Sequence, residues 1–189
     1  MGAQDSKLFV ISGPSGAGKG TLVTRVRERR SNLGLTVSAT TRAPRKGEVD
    51  GVNYFFLTRE EFDRRVANGE FVEWAEVHGN CYGTLVSEVQ SKLASGSSLI
   101  LEIDVQGALQ VKERFPEAVL IFIKPPSLEV LRERLVGRGT ETPETIELRM
   151  ANAADELALA DRYDDVVVND DLDLATDELV RVLDMHERI

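Results

Sequence analysis

Residues 13–21, GPSGAGKGT, bring four glycines, two hydroxyls and one lysine into a single short stretch. The spacing satisfies G-x-x-x-x-G-K, with which backbone amides wrap a polyphosphate. Small residues let the chain approach the anion closely, and a helix starting at the end of the loop adds its positive pole. Lys19 supplies a mobile positive charge between β- and γ-phosphates, where negative charge is handled during transfer. Gly13, Pro14, Ser15, Gly16, Ala17, Gly18, Lys19, Gly20 and Thr21 are therefore candidate triphosphate-binding residues. The plain alternative is a glycine turn with a solvated lysine. Gly20 stands where a serine or threonine usually follows the lysine, so a side-chain ligand for Mg²⁺ is missing there. Either Thr21 substitutes, or the metal is held mainly by nucleotide and water, since Mg²⁺ readily keeps its hydration shell. By itself the loop defines a nucleoside-triphosphate binder and fits kinases, GTPases and motor ATPases alike.

A second group of residues suits a smaller anion. The segment 38–54, SATTRAPRKGEVDGVNY, places Arg42, Arg45 and Lys46 near hydroxyls and a tyrosine inside an acidic protein. The planar guanidinium fork holds phosphate oxygens in two directions at once, and a tyrosine hydroxyl adds a further donor, which fits a phosphate monoester. A solvated basic loop is the competing reading. Glu73, in FVEWAEV, alternates with Val72 and Trp74 on an expected strand. A carboxylate there could accept from the two adjacent N–H donors of a guanine edge, which adenine does not offer, although a solvent-facing glutamate is the commoner case. Asp104–Gly107, DVQG, follows a strand-like run and fits both the D-x-x-G of a GTPase switch and an acidic strand end near Mg²⁺. The guanine-reading N-K-x-D of a GTPase is missing, because Asn169-Asp170-Asp171 has no lysine.

These groups need a scaffold, and the apolar pattern provides one. KLFVIS (7–12), SLILEI (98–103), AVLIFI (118–123) and DVVV (165–168) are short, β-favouring runs separated by helical spacing. Near-continuous apolar strands alternating with helices predict a parallel sheet covered on both faces. Residues 36–83 differ, with Gly, Pro, aromatics and short alternating runs, and read as a β-rich insertion. It holds one punctuated helix: Thr58 and Glu61 form a T-x-x-E capping box, Phe62 and Val66 share a face, and Gly69 closes it. Residues 127–159 are helical on both sides of Gly137-Arg138-Gly139, with Thr142-Pro143 starting the second helix.

Composition sets the limits. The 189 residues, 42% hydrophobic and 29% charged, fit one compact domain rather than a disordered chain. No apolar run approaches the ~20 residues of a membrane helix. A net charge of −9 argues against a general nucleic-acid or anionic-membrane surface. Of the 32 acidic side chains 15 follow residue 140, against 4 of the 23 basic ones, so positive sites belong in the first three quarters. One cysteine, Cys81, permits no internal disulfide, and His78 and His186 lie far apart, so a reducing cytoplasm is the expected home.

Taken in order, GPSGAGKGT, SATTRAPRKGEVDGVNYFF, GEFVEWAEVHGNCYGT, LEIDVQGA, RLVGRGTETPETIELRM and VVVNDDLD make the sequence resemble a guanylate kinase across essentially its whole length. The GKGT spelling is also similar to that of adenylate kinases. The resemblance implies a three-layer α/β P-loop kinase core with a parallel sheet, formed by residues 1–37, 92–126 and 160–189. To this it adds a β-rich GMP-binding insertion, 38–91, and a helical lid, 127–159, as mobile parts of one folding unit. It implies ATP-dependent phosphorylation of GMP, and of dGMP since no proposed contact requires the 2′-hydroxyl, in purine nucleotide metabolism and GMP recycling. Mg²⁺ is the expected cofactor; ATP and GMP are the expected partners, without nucleic acid or membrane, and the oligomeric state stays open.

Carried over by motif, Arg42, Arg45, Tyr54 and Tyr82 would hold the GMP phosphate, and Ser38, Glu73 and Thr84 would read the guanine. Asp104 would organise the junction of the two nucleotides through Mg²⁺ waters or Arg42. Arg138 and Arg149, with Arg134 a weaker candidate, would reach the transferring phosphoryl group from the lid, and Asn169 would border the adenine. Lys19, Arg42, Arg138 and Arg149 are the expected catalytic residues. Water competes as acceptor, so both insertions are expected to close over the core, with Gly47, Gly51, Gly137 and Gly139 as points of flexibility. The alternatives are another nucleoside monophosphate kinase and a non-catalytic module of the same fold that binds a phosphopeptide.

Overall fold

The computed structural model describes residues 6–77, 79–137, 139 and 141–187. The first apolar run forms β1 (Leu8–Ser12), buried along its whole length, and the glycine loop leads into α1 (Lys19–Arg29). There follow β2 (Gly34–Leu35), β3 (Ala39–Thr40), β4 (Phe55–Phe56), α2 (Arg59–Ala67), β5 (Phe71–Val77), β6 (Asn80–Leu85) and α3 (Val86–Ala94). The chain then returns through β7 (Leu99–Glu102), α4 (Val105–Arg114), β8 (Val119–Lys124), α5 (Leu128–Gly137), α6 (Pro143–Leu157), β9 (Asp165–Val168) and α7 (Leu172–Glu187).

The main sheet has the order β2-β7-β1-β8-β9, and each pairing is parallel. Its strands alternate faces with period two, which builds two cores from one sequence run. Phe9 and Ile11 of β1, with Ile121 and Ile123 of β8, pack against Leu22 and Val26 of α1 and Leu179 and Leu183 of α7. Leu8 and Val10, with Leu120 and Phe122, pack on the other face against Val89 of α3 and Ala108 and Val111 of α4. The result is a three-layer α/β fold. Burying a side chain of this size contributes roughly 1.5 to 3 kcal/mol, so the interior strands dominate stability.

The β-rich segment forms a separate sheet in the order β4-β3-β6-β5, mixed in direction. α2 closes its small core, with Phe62 stacked on Phe71 at 4.3 Å between ring centroids. Thr58 caps this helix by accepting from the Glu61 amide, whereas the Glu61 carboxylate takes Arg65 one turn later. α5 and α6 meet through Leu131, Leu135, Ile146 and Ala153, and Thr142 caps α6 with Pro143 in its first turn.

Candidate functional site

The parallel order puts every strand's carboxyl end on one edge of the main sheet, where α/β proteins place their ligands. The glycine loop leaves β1 there, Glu102 ends β7, Asp104 follows it, and Asn169 follows β9. Packing explains the glycines. Gly13 has φ +143°, and a Cβ on it would lie 2.2 Å from the Ile123 carbonyl oxygen; at Gly18, φ +90°, it would lie 2.3 Å from Asn169 Nδ2. Gly16 lies under Leu131 and Leu135 of α5. The loop is therefore clasped between β8, α5 and the residue after β9, which fixes its amides before any ligand arrives.

Lys19 folds back over this loop, its Nζ donating to the carbonyls of Gly13 (2.6 Å) and Pro14 (3.2 Å). Asn169 donates from Nδ2 to the Ala17 carbonyl at 2.8 Å and accepts on its own carbonyl from Arg134. Arg149 reaches down from α6 and donates to Ser15 Oγ at 2.6 Å, while its Nε pairs with the largely buried Glu141 at 3.0 Å. Thr21 lines the same cleft from the first turn of α1. Arg138 lies outside the described residues.

The second sheet is arranged differently, from side chains that hold one another. Thr40 Oγ1 donates to the Cys81 carbonyl and accepts from the Arg42 amide, and Thr41 Oγ1 accepts from the Cys81 amide, which fixes the point where Arg42 emerges. Nη2 of the Arg42 guanidinium donates to both Glu48 carboxylate oxygens (2.9 and 3.0 Å), and the group lies 5.4 Å from the Tyr54 ring centroid. Tyr54 and Tyr82 meet edge to face at 6.3 Å, so these three expected phosphate ligands converge. Arg45 does not join them; its side chain is exposed, and its backbone amide binds Glu48 at 2.7 Å. The Glu48 pairing holds the Arg42 guanidinium above its ordinary pKa and the Glu48 carboxyl below its own.

Glu73 sits opposite Thr84 in the β5–β6 ladder. A register shift between Phe71 and Glu73 interrupts the strict alternation expected from the sequence: Phe71 and Val72 are both buried, and Trp74 is 42% exposed. The shift carries the Glu73 carboxylate to the start of α4, where it lies, with Asp104, beside Gly107. Burial pushes the Glu73 carboxyl up, Asp104 adds to that, and Thr84 opposes it. Asp104 caps α4, its Oδ1 accepting from the Gly107 amide at 2.7 Å, so the D-x-x-G spacing is a helix start. Ser38 is half-buried at the entrance to β3, its carbonyl accepting from the Phe55 amide.

Three carboxylates were not singled out from the sequence. Glu48 stands six residues after Arg42, a spacing with no periodic signature. Glu102 ends β7 beside the glycine loop, and burial raises its pKa while Lys19 lowers it. Glu156 on α6 is raised chiefly by burial, with Lys19 drawing it down and Asp104 raising it. The first of these could have been found as the counter-charge a basic loop requires; the other two depend on which elements meet.

A clasped glycine loop at the carboxyl edge of a parallel sheet, with its lysine and an arginine of α6 over it, defines a phosphate-loop nucleotide-binding protein of the α/β class. The second sheet narrows the class further. A family model described as guanylate kinase matches residues 5–186. The chain is 57% identical over 178 residues to a guanylate kinase of Gloeobacter violaceus, a match covering 94% of this chain and 87% of that one. It is 52% identical over 183 residues to one from Halalkalibacterium halodurans, covering 97% and 90%. The crystal structure of guanylate kinase from Anaplasma phagocytophilum superposes with a TM-score of 0.72 at 36% identity, over 97% of this chain and 87% of that one. The chain belongs to the guanylate kinase family.

Proposed function

We propose that this chain is an ATP-dependent phosphotransferase that converts GMP, and dGMP, to the diphosphate with release of ADP. The observation that carries the reading is a clasped phosphate loop at the sheet edge together with a second sheet whose Glu73 reaches the start of α4. Lys19 and the glycine loop form one anion site; Arg42, Tyr54 and Tyr82 form the other, and Glu73 lies beside the Asp104 cap. In-line transfer needs positioning and charge stabilisation rather than covalent help. The loop amides and Lys19 hold the triphosphate, and Asn169 with Arg134 borders its base. Arg42, Tyr54 and Tyr82 hold the acceptor phosphate, while Ser38, Glu73 and Thr84 read the guanine. Arg149 and Arg138 bring positive charge from the lid. No strong general base is required, because the acceptor phosphate is already anionic near neutral pH.

Mg²⁺ fits the donor set. No cluster of three potential metal ligands occurs among the described residues, but Thr21 and Glu102 border the loop with hard oxygen donors. One hydroxyl and one carboxylate suit a cation whose remaining ligands are phosphates and water. When bound with ATP it would neutralise phosphate charge. Asp104 spends one carboxylate oxygen on its cap and is left with the other.

The Arg149–Ser15 bond supports a lid, residues 127–159, that closes on the loop of the core, while the insertion, 38–91, closes with GMP. The reading also places the enzyme in the cytoplasm, in keeping with its unpaired, buried Cys81. Among the described residues, no helix is long and apolar enough to cross a membrane.

The test is ADP production from ATP and Mg²⁺ with GMP, dGMP, AMP, UMP, dTMP or no acceptor, beside Lys19→Ala. Turnover with the two guanine nucleotides alone is expected. Turnover with another nucleotide would leave the donor loop standing and overturn the Glu73 assignment; silence with all of them would favour a non-catalytic binding module.

A further inference from the structure

The strand that carries Glu73 meets α4 at both ends of that helix. In the first turn, a Cβ built on Gly107 would lie 3.6 Å from Glu73 Oε2. In the last turn, Arg114 Nη1 donates to the Gly69 carbonyl at 2.6 Å and to the Phe71 carbonyl. Phe71 is where the β5–β6 register shifts, so this donor arrives at the point where the ladder is interrupted. A bulge leaves an extra residue out of the ladder and re-aims the side chains beside it. Val72, between the two registers, is buried in the same cluster as Ala108 and Val111 of α4. Packing does not fill the junction: a cleft of about 210 Å³, bordered by Val66, Glu73, Gln110 and Arg114, opens there. Gly69, which follows α2 with φ +68°, leaves the latch its room, because a Cβ on it would lie 2.9 Å from Arg114 Nη2 and displace the guanidinium.

We propose that Arg114 is a positioning residue for the acceptor site: by holding the Gly69 and Phe71 carbonyls it fixes the β5 bulge, and so sets where the Glu73 carboxylate stands against the guanine edge. The proposal rests on the acceptor reading given above and deepens it by a residue that touches no substrate. Its physical basis is register. A slip of one residue sends every side chain of a strand to the opposite face, and a bulge is a place where such a slip can start or stop. Bonds from a charged donor to two neighbouring carbonyls select one arrangement, because a guanidinium nitrogen with two N–H groups satisfies both at once. Without them the bulge relaxes, and Glu73 shifts relative to the pair of N–H donors it must meet. A misplacement of about 1 Å from a change remote from the chemistry costs up to about 10²-fold. The loss falls on acceptor recognition, since the glycine loop is held separately by Ile123, Asn169 and α5.

The test is steady-state kinetics on wild type, Arg114→Ala, Arg114→Lys, Glu73→Gln and the double variant Arg114→Ala with Glu73→Gln. Arg114 is exposed, and a thermal melt checks that each variant is folded. GMP is compared with IMP, which lacks the 2-amino group and so offers Glu73 one donor instead of two. Arg114→Ala should raise KM for GMP about tenfold, with kcat and KM for ATP within about twofold, and should cut the preference for GMP over IMP by a similar factor. Arg114→Lys, which keeps the charge and a donor, should stay within about threefold of wild type. In the Glu73→Gln background, removing Arg114 should raise KM by less than about twofold, because the carboxylate it positions is already gone. A merely structural part would lower kcat, or raise KM by the same factor in both backgrounds, and either result overturns the proposal. If wild type does not phosphorylate GMP, or Glu73→Gln leaves its use unchanged, the acceptor reading falls and the proposal with it. If Glu73→Gln impairs GMP use and Arg114→Ala does not, the Arg114 assignment alone falls.

Discussion

The glycine loop and the second sheet prepare for anions in opposite ways. The loop is shaped by its surroundings: Ile123, Asn169 and the leucines of α5 leave no room for a Cβ at Gly13, Gly18 or Gly16, so its amides are fixed by packing. The second sheet is shaped by its own polar side chains. Arg42 is held by Glu48 and by the Tyr54 ring, and its starting point is fixed by two threonine hydroxyls. A backbone cradle reads little beyond charge and shape, whereas a set of mutually paired side chains reads chemical identity. On the proposed reading, broad triphosphate binding and narrow acceptor choice fall to different kinds of structure.

The comparison can be broken most severely at Lys19. Lys19→Ala should lower kcat about 10³-fold while the melting temperature stays close to wild type, since the packing that shapes the loop is untouched. An activity assay with a parallel melt decides; substantial residual turnover would mean that the cradle alone suffices.

Glu73→Gln comes next. It should reduce kcat/KM for GMP about 10²-fold, with ATP affinity within twofold, because an acceptor facing two donors is replaced in part by a donor. Glu73 also makes a pH prediction. Burial raises its carboxyl, so the folded protein keeps the proton to higher pH than the unfolded chain does. Stability attributable to this group therefore falls as pH rises from the ordinary carboxylate value through the raised folded one, and at neutral pH its charge is a net cost. Glu73→Gln should accordingly raise the melting temperature by about 1 to 3 °C at pH 7. In the wild type, KM for GMP should climb on acidification from a pH above the usual carboxylate range. A mutant both less stable and unselective would show that Glu73 is structural.

Glu48→Gln tests whether the paired side chains act as a unit. Losing the charged partner that holds the Arg42 guanidinium should raise KM for GMP about 3- to 10-fold and leave ATP binding alone. The smallest effect is reserved for Thr58→Ala, which removes the α2 cap at a cost of about 1 kcal/mol, or 2 to 4 °C, with both KM values unchanged. A kinetic effect there would show that the acceptor sheet transmits strain to its side chains.

Much of this was legible before any coordinates. Strands β5 and β9 coincide with the runs FVEWAEV and DVVV, and β1 and β8, whose burial leaves near-continuous apolar stretches, differ from their expected bounds by about a residue. The Thr58 and Thr142 helix starts were equally plain, since capping is a contact between residues three apart. The two-residue β2 was not visible; so short a strand exists only because the β7 edge offers it a partner. Glu48, Glu102 and Glu156 were missed for a related reason. Each gains its meaning from a group brought near by folding, and glutamates without a local motif look alike in an acidic chain.

The sequence by itself determined the glycine loop, the covered parallel sheet and the β-rich insertion, because these rest on local spacing and on the periodicity of burial; the family followed from the resemblance carried by its ordered motifs. Tertiary structure decided the rest. It turned Asp104 into a helix cap, gave Arg42 its counter-charge, sent Arg45 to solvent, shifted the β5 register so that Glu73 lies beside α4, and set Glu102 against Gly20. Electrostatic roles depend on distance through space, which only the packed fold sets.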